Sequence, residues 1–165
     1  MKVILAKTAG FCPGVKRAVD LVYQEAGKGS VYTFGPIIHN EAVVEDLKDK
    51  GVKVAESIDD IPEDPKTTVV IRSHGVSKKT SEAIAAKGVH VLDATCPFVK
   101  KIHRIVMEKG SEGREIIIIG DPQHPEVEAI CGWCDREPTV IENVGQAAAF
   151  VPKWSEKLCV VSQTT

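Results

Sequence analysis

The stretch CPGVKR at residues 12–17 returns as CPFVKK at residues 96–101, 84 residues later in a chain of 165. After each copy an apolar run ends in glycine and the pattern G-x-x-x-H-x-E follows. This pattern places His39 in the first copy and His124 in the second, 85 residues apart. Two different motifs that recur at nearly one separation indicate that the chain holds two copies of one module.

A third, weaker match shows how far each copy extends. VVIRSH ends at His74, and CVVSQT ends at Thr164, 90 residues later. The first copy continues for a further 22 residues from His74 to Cys96. We therefore predict a first module at residues 1–95 and a second, shortened module at residues 96–165.

The same period predicts a third module. Its cysteine is expected beyond residue 165, near positions 180 to 186, roughly one period after Cys96. The apolar residues 3–6 precede Cys12 as residues 89–92 precede Cys96. We therefore expect residues 1–8 to contain a buried strand that belongs to the third module, so that three modules close into a ring.

The hydrophobic pattern predicts an α/β fold of repeated, three-layered modules with parallel sheets. Apolar runs typical of strands alternate with helical periodicity, which favours parallel sheets covered by helices on both faces. Helices are expected to start at Pro13, after Asn40, at Ser77 and at Pro97, with a short one near residue 146. Strands are expected at residues 31–34, 52–54, 68–71, 89–92, 116–119, 139–141 and 158–161.

Composition narrows the class of protein. Hydrophobic residues make up 43% of the chain and charged residues 27%, which is typical of globular proteins and excludes collagen-like, disordered and disulfide-knot classes. The net charge of −2 gives no reason to expect nucleic acid or an anionic membrane as a partner. The N-terminus does not resemble a signal peptide, and the five cysteines are an odd number. We expect a cytoplasmic protein with free thiols.

Cys12 and Cys96 are the candidate metal ligands. Each is expected between a strand and a helix, where the helix N-terminus and the following basic residues favour a thiolate. A buried structural cysteine is the alternative for either one alone, but the shared frame favours ligands. Three equivalent cysteines would leave one iron of an iron–sulfur cluster open for catalysis.

Three histidines and two further residues are candidates for binding and proton transfer. His39, His74 and His124 follow strand ends, where they can donate to an anionic group; ordinary loop or capping histidines are the alternative. Glu126 is expected to pass on a proton. Thr164 occupies the position that matches His74 and is expected to donate a hydroxyl hydrogen bond.

Other polar residues lie outside the repeated frames. Cys131 and Cys134 form a single C-x-x-C, which leaves a redox pair or a zinc site open, although Cys159 alone does not complete a zinc ribbon. His90 and His103 are interpreted as structural or surface residues. The chain contains neither a P-loop nor a dinucleotide-binding motif.

Taken together, the motifs resemble the 4-hydroxy-3-methylbut-2-enyl diphosphate reductases, the IspH or LytB family. The resemblance runs over the whole chain in order. It is carried by AGFCPGVKRAV at residues 9–19, PIIHN at 36–40, RSHGV at 72–76, DATCPFV at 93–99, HPEV at 124–127 and SQTT at 162–165. The CGWC stretch at residues 131–134 departs from many members.

The resemblance implies a pseudo-threefold trefoil of α/β modules around a 4Fe–4S cluster held by three cysteines. Cys12 and Cys96 match two of these ligands, and the third is expected beyond residue 165. His39, His74 and His124 match diphosphate-binding histidines, Glu126 the proton-relay carboxylate, and Thr164 the threonine beside the substrate.

The implied reaction is a reductive dehydroxylation of the non-mevalonate isoprenoid pathway. Hydroxymethylbutenyl diphosphate, bound to the open iron through its hydroxyl group, loses that group as water after two one-electron reductions. Isopentenyl and dimethylallyl diphosphate are the products, and a ferredoxin or flavodoxin type protein is the expected electron donor. Without the third cysteine, the 165 residues by themselves are expected to be inactive.

Two other functions remain open at this point. One is a redox-free α/β module that binds a diphosphate through the histidines and helix termini. The other is a thiol–disulfide or zinc protein that uses Cys131 and Cys134.

Overall fold

The computed structural model describes residues 1–164, and its first sheet has four parallel strands. The strands are β1 Ser30–Phe34, β2 Val52–Ala55, β3 Thr67–Ile71 and β4 His90–Asp93. Their order across the sheet is β2-β1-β3-β4. Val31 of β1 lies opposite Val52 of β2 and Thr68 of β3, and Thr68 in turn lies opposite His90 of β4.

Helices cover both faces of this sheet. One apolar core packs helices α1 (Pro13–Glu25) and α2 (Glu41–Asp49) against strand residues that include Val70. The other face packs helix α3 (Lys78–Ala86) against residues that include Val69. Successive residues of a strand point to opposite faces, which is why Val69 and Val70 enter different cores. The predicted three-layered α/β arrangement is confirmed for this sheet.

The second sheet repeats the strand order of the first. It contains β5 Glu115–Ile119, β6 Thr139–Ile141 and β7 Leu158–Ser162, all parallel, in the order β6-β5-β7. This order matches β2-β1-β3, as a repeated module requires. Its helices are α4 Pro97–Ser111, α5 Pro125–Cys131 and α6 Val144–Ala149, and a short 3-10 helix, Ile58–Asp60, takes the place of α6 in the first copy. Within residues 1–164, no helix is long and apolar enough to cross a bilayer.

Two stretches expected to be buried strands are exposed among the described residues. Residues 3–6 form no strand in this structure, and the side chains of Val3, Ile4 and Leu5 are all at least 78% exposed. A strand needs a hydrogen-bonded neighbour, and none of the described strands pairs with this segment, so its assignment to a third module stays a prediction. Strand β7 is an edge strand of the described sheet, and its Val160 is 60% exposed.

The remaining predicted elements form close to their expected positions, but helix α5 was not predicted. Its seven residues are too few for a clear helical period, although Pro125 is a favourable first residue. The repeat contains the missing information, because α2 follows His39 as α5 follows His124. Asn40 caps α2 as expected, with its side-chain oxygen accepting a hydrogen bond from the Val43 N–H.

His103, expected to be structural or at the surface, is a buried residue of α4. Its ring stacks on Trp133, with 5.2 Å between ring centroids and 17° between ring planes. Its Nε2 atom is buried and has no hydrogen-bond partner among the described residues. Burial lowers the pKa of His103 to about 4, because the charged ring would lose its hydration.

We predict that acidification destabilises the fold through its buried histidines. Below pH 6.5 the unfolded chain binds protons at His103 and at His74, whereas the folded chain resists protonation until about pH 4, since burial lowers the pKa of both rings to that value. The free energy of unfolding should therefore fall as the pH falls through this window. Urea denaturation at pH 7.5, 6.0 and 5.0 measures the slope.

The variant His103→Phe provides the control for this prediction. Phenylalanine keeps an aromatic ring against Trp133 but cannot be protonated. The pH slope should become shallower and the part due to His74 should remain. An unchanged slope would show that His103 does not resist protonation in the folded chain.

Candidate functional site

Cys12 and Cys96 each cap the N-terminus of a helix. Cys12 precedes α1 and Cys96 precedes α4, and a proline follows each as the first helical residue. Proline suits this position because its fixed φ is helical and the first N–H of a helix has no intrahelical partner. Cys96 lies at the junction from β4 to α4, as predicted, whereas no strand precedes Cys12.

The thiol of Cys96 lies against the first turn of α1. A Cβ atom placed on Gly14 would lie only 2.7 Å from the Cys96 Sγ, so any larger residue there would displace the thiol. Arg17 reinforces the contact by donating to the carbonyls of Asp93 (3.1 Å) and Thr95 (3.3 Å). The two candidate ligands are thus brought to the same helix end.

The basic residues that follow each cysteine are engaged in ion pairs. Lys16 pairs with Asp20 on α1, and Lys100 pairs with Asp93 at 2.6 Å. These carboxylates take up part of the positive charge that the sequence analysis assigned to the thiols. The helix N-termini remain the shared electrostatic feature of the two cysteines.

His39, His74 and His124 come together as one histidine cluster. His39 and His74 lie in loops that follow β1 and β3 of the first sheet, and His124 caps α5 after β5 of the second sheet. Their ring centroids are 4.5 Å (His39–His74), 5.3 Å (His74–His124) and 5.6 Å (His39–His124) apart. One nitrogen from each ring lies within 4.8 Å of the other two.

Hydrogen bonding determines which nitrogen of His124 carries a proton. Its Nδ1 accepts a hydrogen bond from the Glu126 backbone N–H at 3.2 Å, so this atom has no proton. The neutral ring therefore carries its proton on Nε2 and is a donor there. A metal ion would need a free lone pair on each of the three rings, whereas an anion needs N–H donors, so His124 suits an anion.

His74 is the most buried member of the cluster. Burial is the main cause that lowers the pKa of His74 to about 4, and the positive potentials of His39, His124 and Arg72 contribute to the same shift. Without a ligand His74 is therefore neutral at pH 7. An anion beside it would supply the charge that favours its protonated form.

Glu126 and Thr164 form a hydrogen-bonded pair next to the cluster. Glu126 is completely buried, and its Oε1 accepts from the Thr164 N–H at 2.7 Å and from the Thr164 hydroxyl at 2.8 Å. Glu126 lies two residues after His124 in the first turn of α5. The structure thus places a carboxyl group and a hydroxyl group beside three imidazoles.

The other three cysteines belong to the core of the second sheet. Cys131, Cys134 and Cys159 pack against a cluster that includes Ile118. Burial raises the pKa of Cys134 to about 12, and it also raises the pKa of Cys131 and Cys159. Protonated thiols are poor nucleophiles and poor metal ligands, so this environment does not favour redox or zinc chemistry.

One contact of the C-x-x-C stretch was missed by the sequence analysis. The indole N–H of Trp133 donates to the Val76 carbonyl at 2.8 Å, which joins the second sheet's helices to the loop after β3. In the sequence, Trp133 stands between two cysteines and outside the repeated frames. No periodic pattern marks it.

Comparison with known proteins gives one consistent result. The family model described as LytB protein matches residues 3–165. The curated 4-hydroxy-3-methylbut-2-enyl diphosphate reductase of Thermoanaerobacter sp. strain X514 is 49% identical over 170 aligned residues, and that of Clostridioides difficile strain 630 is 42% identical over 167. Both alignments cover the whole chain, and the chain spans 58% and 59% of the two relatives' lengths.

Solved structures agree with the sequence relatives, and the α/β fold with parallel sheets is shared with them. A structure titled as (E)-4-hydroxy-3-methyl-but-2-enyl diphosphate reductase, the terminal enzyme of the non-mevalonate pathway, is 39% identical with a TM-score of 0.81. It matches 99% of this chain and 58% of its own length. The E-1-hydroxy-2-methyl-but-2-enyl-4-diphosphate reductase of Plasmodium falciparum is 32% identical with a TM-score of 0.89, over 96% of this chain and 50% of its own. The chain therefore belongs to the LytB family.

Proposed function

We propose that this chain supplies the histidine and carboxylate part of the active site of a 4-hydroxy-3-methylbut-2-enyl diphosphate reductase. The observation that carries the proposal is the histidine cluster beside the buried pair of Glu126 and Thr164. Family membership supplies the substrate class, since the relatives named above are reductases of this diphosphate.

The proposed reaction consumes two electrons and two protons. The C–O bond of the allylic hydroxyl group breaks, water leaves with one proton, and the other proton is added to carbon.

The histidine cluster binds the diphosphate of the substrate. Phosphate oxygens accept hydrogen bonds, and the neutral rings of His74 and His124 each offer one N–H. A nearby anion raises the pKa of His74 from its low value, so binding takes up protons. At His74, positive charge therefore develops when the ligand that requires it is present.

Glu126 relays one of the two protons that the reaction consumes. Its carboxyl group is screened from bulk water, and Thr164 holds its Oε1 through two hydrogen bonds. Thr164 itself is exposed, so its hydroxyl group would connect the buried carboxyl group with a substrate bound beside it. Proton transfer through a positioned side chain of this kind contributes about 10²- to 10⁴-fold to a rate.

Cys12 and Cys96 would hold an iron–sulfur cluster, which supplies electrons one at a time. The donor set fits this group, because thiolates are its usual ligands and the two helix N-termini favour their negative charge. The third cysteine ligand is expected in the predicted third module, which would complete the trefoil arrangement. A ferredoxin or flavodoxin type protein would deliver the electrons to the cluster. The five free thiols favour the cytoplasm, where thiols stay reduced.

A redox-free diphosphate-binding module is the second candidate function. The histidine cluster favours it, since three imidazoles can bind an anion without a metal-bound thiolate. The two candidates share the anion site and differ in iron content.

We predict that His74→Gln weakens binding of inorganic pyrophosphate about ten- to hundredfold, the usual effect of losing a hydrogen bond to a charged partner. Isothermal titration calorimetry measures the affinity. His90→Gln is the matched control, because His90 is an exposed residue of β4 outside the cluster. Equal losses in both variants, or none in His74→Gln, would contradict the anion site.

We predict that iron binding depends on Cys12 and Cys96. After anaerobic reconstitution, the protein as its gene encodes it should bind roughly four irons and four sulfides per chain, and Cys12→Ser or Cys96→Ser should lose most of them. Cys131→Ser is the control and should keep its iron. If wild type binds pyrophosphate without iron, the redox-free module is favoured; if only Cys131→Ser loses metal, the thiol or zinc function is favoured.

We predict that, in the protein as its gene encodes it, Glu126→Gln reduces turnover by about two orders of magnitude or more. The amide oxygen can still accept from Thr164, but the amide has no acidic proton, so pyrophosphate affinity should remain close to that of wild type. Steady-state kinetics with the reductase substrate and calorimetry measure the two effects. Glu41→Gln is the matched control because Glu41 occupies the same repeat position on α2, and a similar loss there would exclude a special role for Glu126.

A further inference from the structure

Trp133 and Gly132 join the helices of the second sheet to the loop that follows β3 of the first. The Trp133 indole N–H donates to the Val76 carbonyl at 2.8 Å, and its ring stacks on His103. The Gly132 carbonyl accepts from the backbone N–H of Lys78 at 3.3 Å. Val76 lies two residues after His74, so the contact is made close to the histidine cluster.

Gly132 approaches the first sheet's elements as closely as only glycine allows. A Cβ atom at this position would lie 2.2 Å from the Ser77 Cβ and 2.9 Å from the Ser77 Cα. The Ser77 backbone could not move away from such a Cβ atom without shifting the N-terminus of α3, because Ser77 caps that helix. The contact therefore requires glycine for a reason that has nothing to do with metal binding.

His103 contacts the same loop from α4. A Cβ atom on Gly75 would lie 2.9 Å from the His103 Cε1 and 3.0 Å from the Thr95 Cγ2, and Gly75 also has a positive φ of 77°. The two residues that follow His74 are thus both contacted by elements of the second sheet. Gly75 lies against the His103 ring, and the Val76 carbonyl accepts the hydrogen bond from Trp133.

Helix α5 transmits this contact to His124. His124 caps the N-terminus of the helix, and Gly132 caps its C-terminus. The helix has seven residues, so its ends lie about 10 Å apart along a rigid element. Contacts that fix Gly132 and Trp133 against residues 76–78 therefore also fix His124 relative to His74. The two histidines come from different sheets, so only contacts between the sheets' elements can set their separation.

We propose that Gly132 and Trp133 are positioning residues that set the separation between His74 and His124, and through it the affinity for the diphosphate group. The proposal rests on the proposed function of the histidine cluster. It assigns the CGWC stretch a role in which the two central residues make the contact and the flanking thiols fill the core. Cys131 and Cys134 then need neither metal nor disulfide.

Trp133→Phe tests the proposal, because it keeps an aromatic ring for His103 and removes the N–H donor. Trp154→Phe is the matched control: Trp154 is the chain's other tryptophan, and its ring lies against Arg136, 4.5 Å from the guanidinium carbon. Lys78→Pro is a second variant that removes the hydrogen bond to Gly132. Proline is tolerated there because Lys78 is the first residue of α3 and Ser77 has an extended backbone with ψ of 157°.

Two measurements on each variant decide the outcome. Without ligand, NMR follows the contact between the rings of His74 and His124 and the pKa of His74. With ligand, calorimetry measures the affinity for inorganic pyrophosphate. We expect Trp133→Phe and Lys78→Pro to weaken the ring contact, to raise the pKa of His74 from about 4 toward 6.5, and to weaken pyrophosphate binding about five- to tenfold. Trp154→Phe should change none of these.

The measurements separate the possible failures. If Trp133→Phe lowers thermal stability but leaves the ring contact, the pKa of His74 and the pyrophosphate affinity unchanged, Trp133 is merely structural and the proposal is overturned. If wild type binds no pyrophosphate, the proposed function fails, while the ring contact and the pKa of His74 still decide the positioning role. If Trp133→Phe does not fold, Lys78→Pro decides the question by the same criteria.

Discussion

Parallel pairing of every described strand is the constraint on which the rest of the structure depends. Parallel strands need a crossover connection after each strand, and all their carboxyl ends meet on one edge of the sheet. The candidate residues occupy that edge: His39 follows β1, His74 follows β3, Cys96 follows β4, His124 follows β5 and Thr164 follows β7. Within each sheet, parallel pairing brings these residues to one edge, and contacts between the helices and loops of the two sheets bring the histidines of both edges together.

Close backbone approach is the second requirement, and glycines provide it. Gly14 leaves room for the Cys96 thiol, and Gly132 leaves room for Ser77. At Gly120, a Cβ atom would lie 2.7 Å from the Gln163 Oε1 and 2.9 Å from the Val127 Cγ2. Each of these glycines lies where two elements carrying candidate site residues meet, so the precision of the site depends on residues that carry no functional group.

The electrostatics of the site suit a ligand that brings its own negative charge. His74 is buried and neutral, His124 is held as an N–H donor, and Glu126 is buried behind Thr164. A resident positive charge would cost stability in the empty site, because burial removes hydration. The anion supplies the compensating charge on binding. The affinity for the anion is therefore linked to the protonation of His74 and to the distance between the histidines of the two sheets.

Much of the fold could be predicted from local patterns, and the errors have physical causes. Continuous apolar runs and period-3.6 apolar patterns, together with Pro13, Asn40 and Pro97, located all seven strands of the described chain and most of its helices. Helix α5 was missed because seven residues hold too little periodicity. Residues 3–6 were assigned to a buried strand because a strand-like composition carries no information about whether a partner strand is present.

The amino-acid sequence by itself determined the repeat, the α/β class and the identity of the candidate site residues, because repeated motifs and strand ends are local properties of the chain. Only the tertiary structure decided how those residues meet. The burial of His74, the pairing of Glu126 with Thr164 and the contact of Trp133 with Val76 arise between residues far apart in the chain. The same holds for the cysteines: C-x-x-C spacing allows metal, disulfide or packing, and only the tertiary structure shows that Cys131 and Cys134 pack against the apolar core of the second sheet, where desolvation favours the neutral thiol.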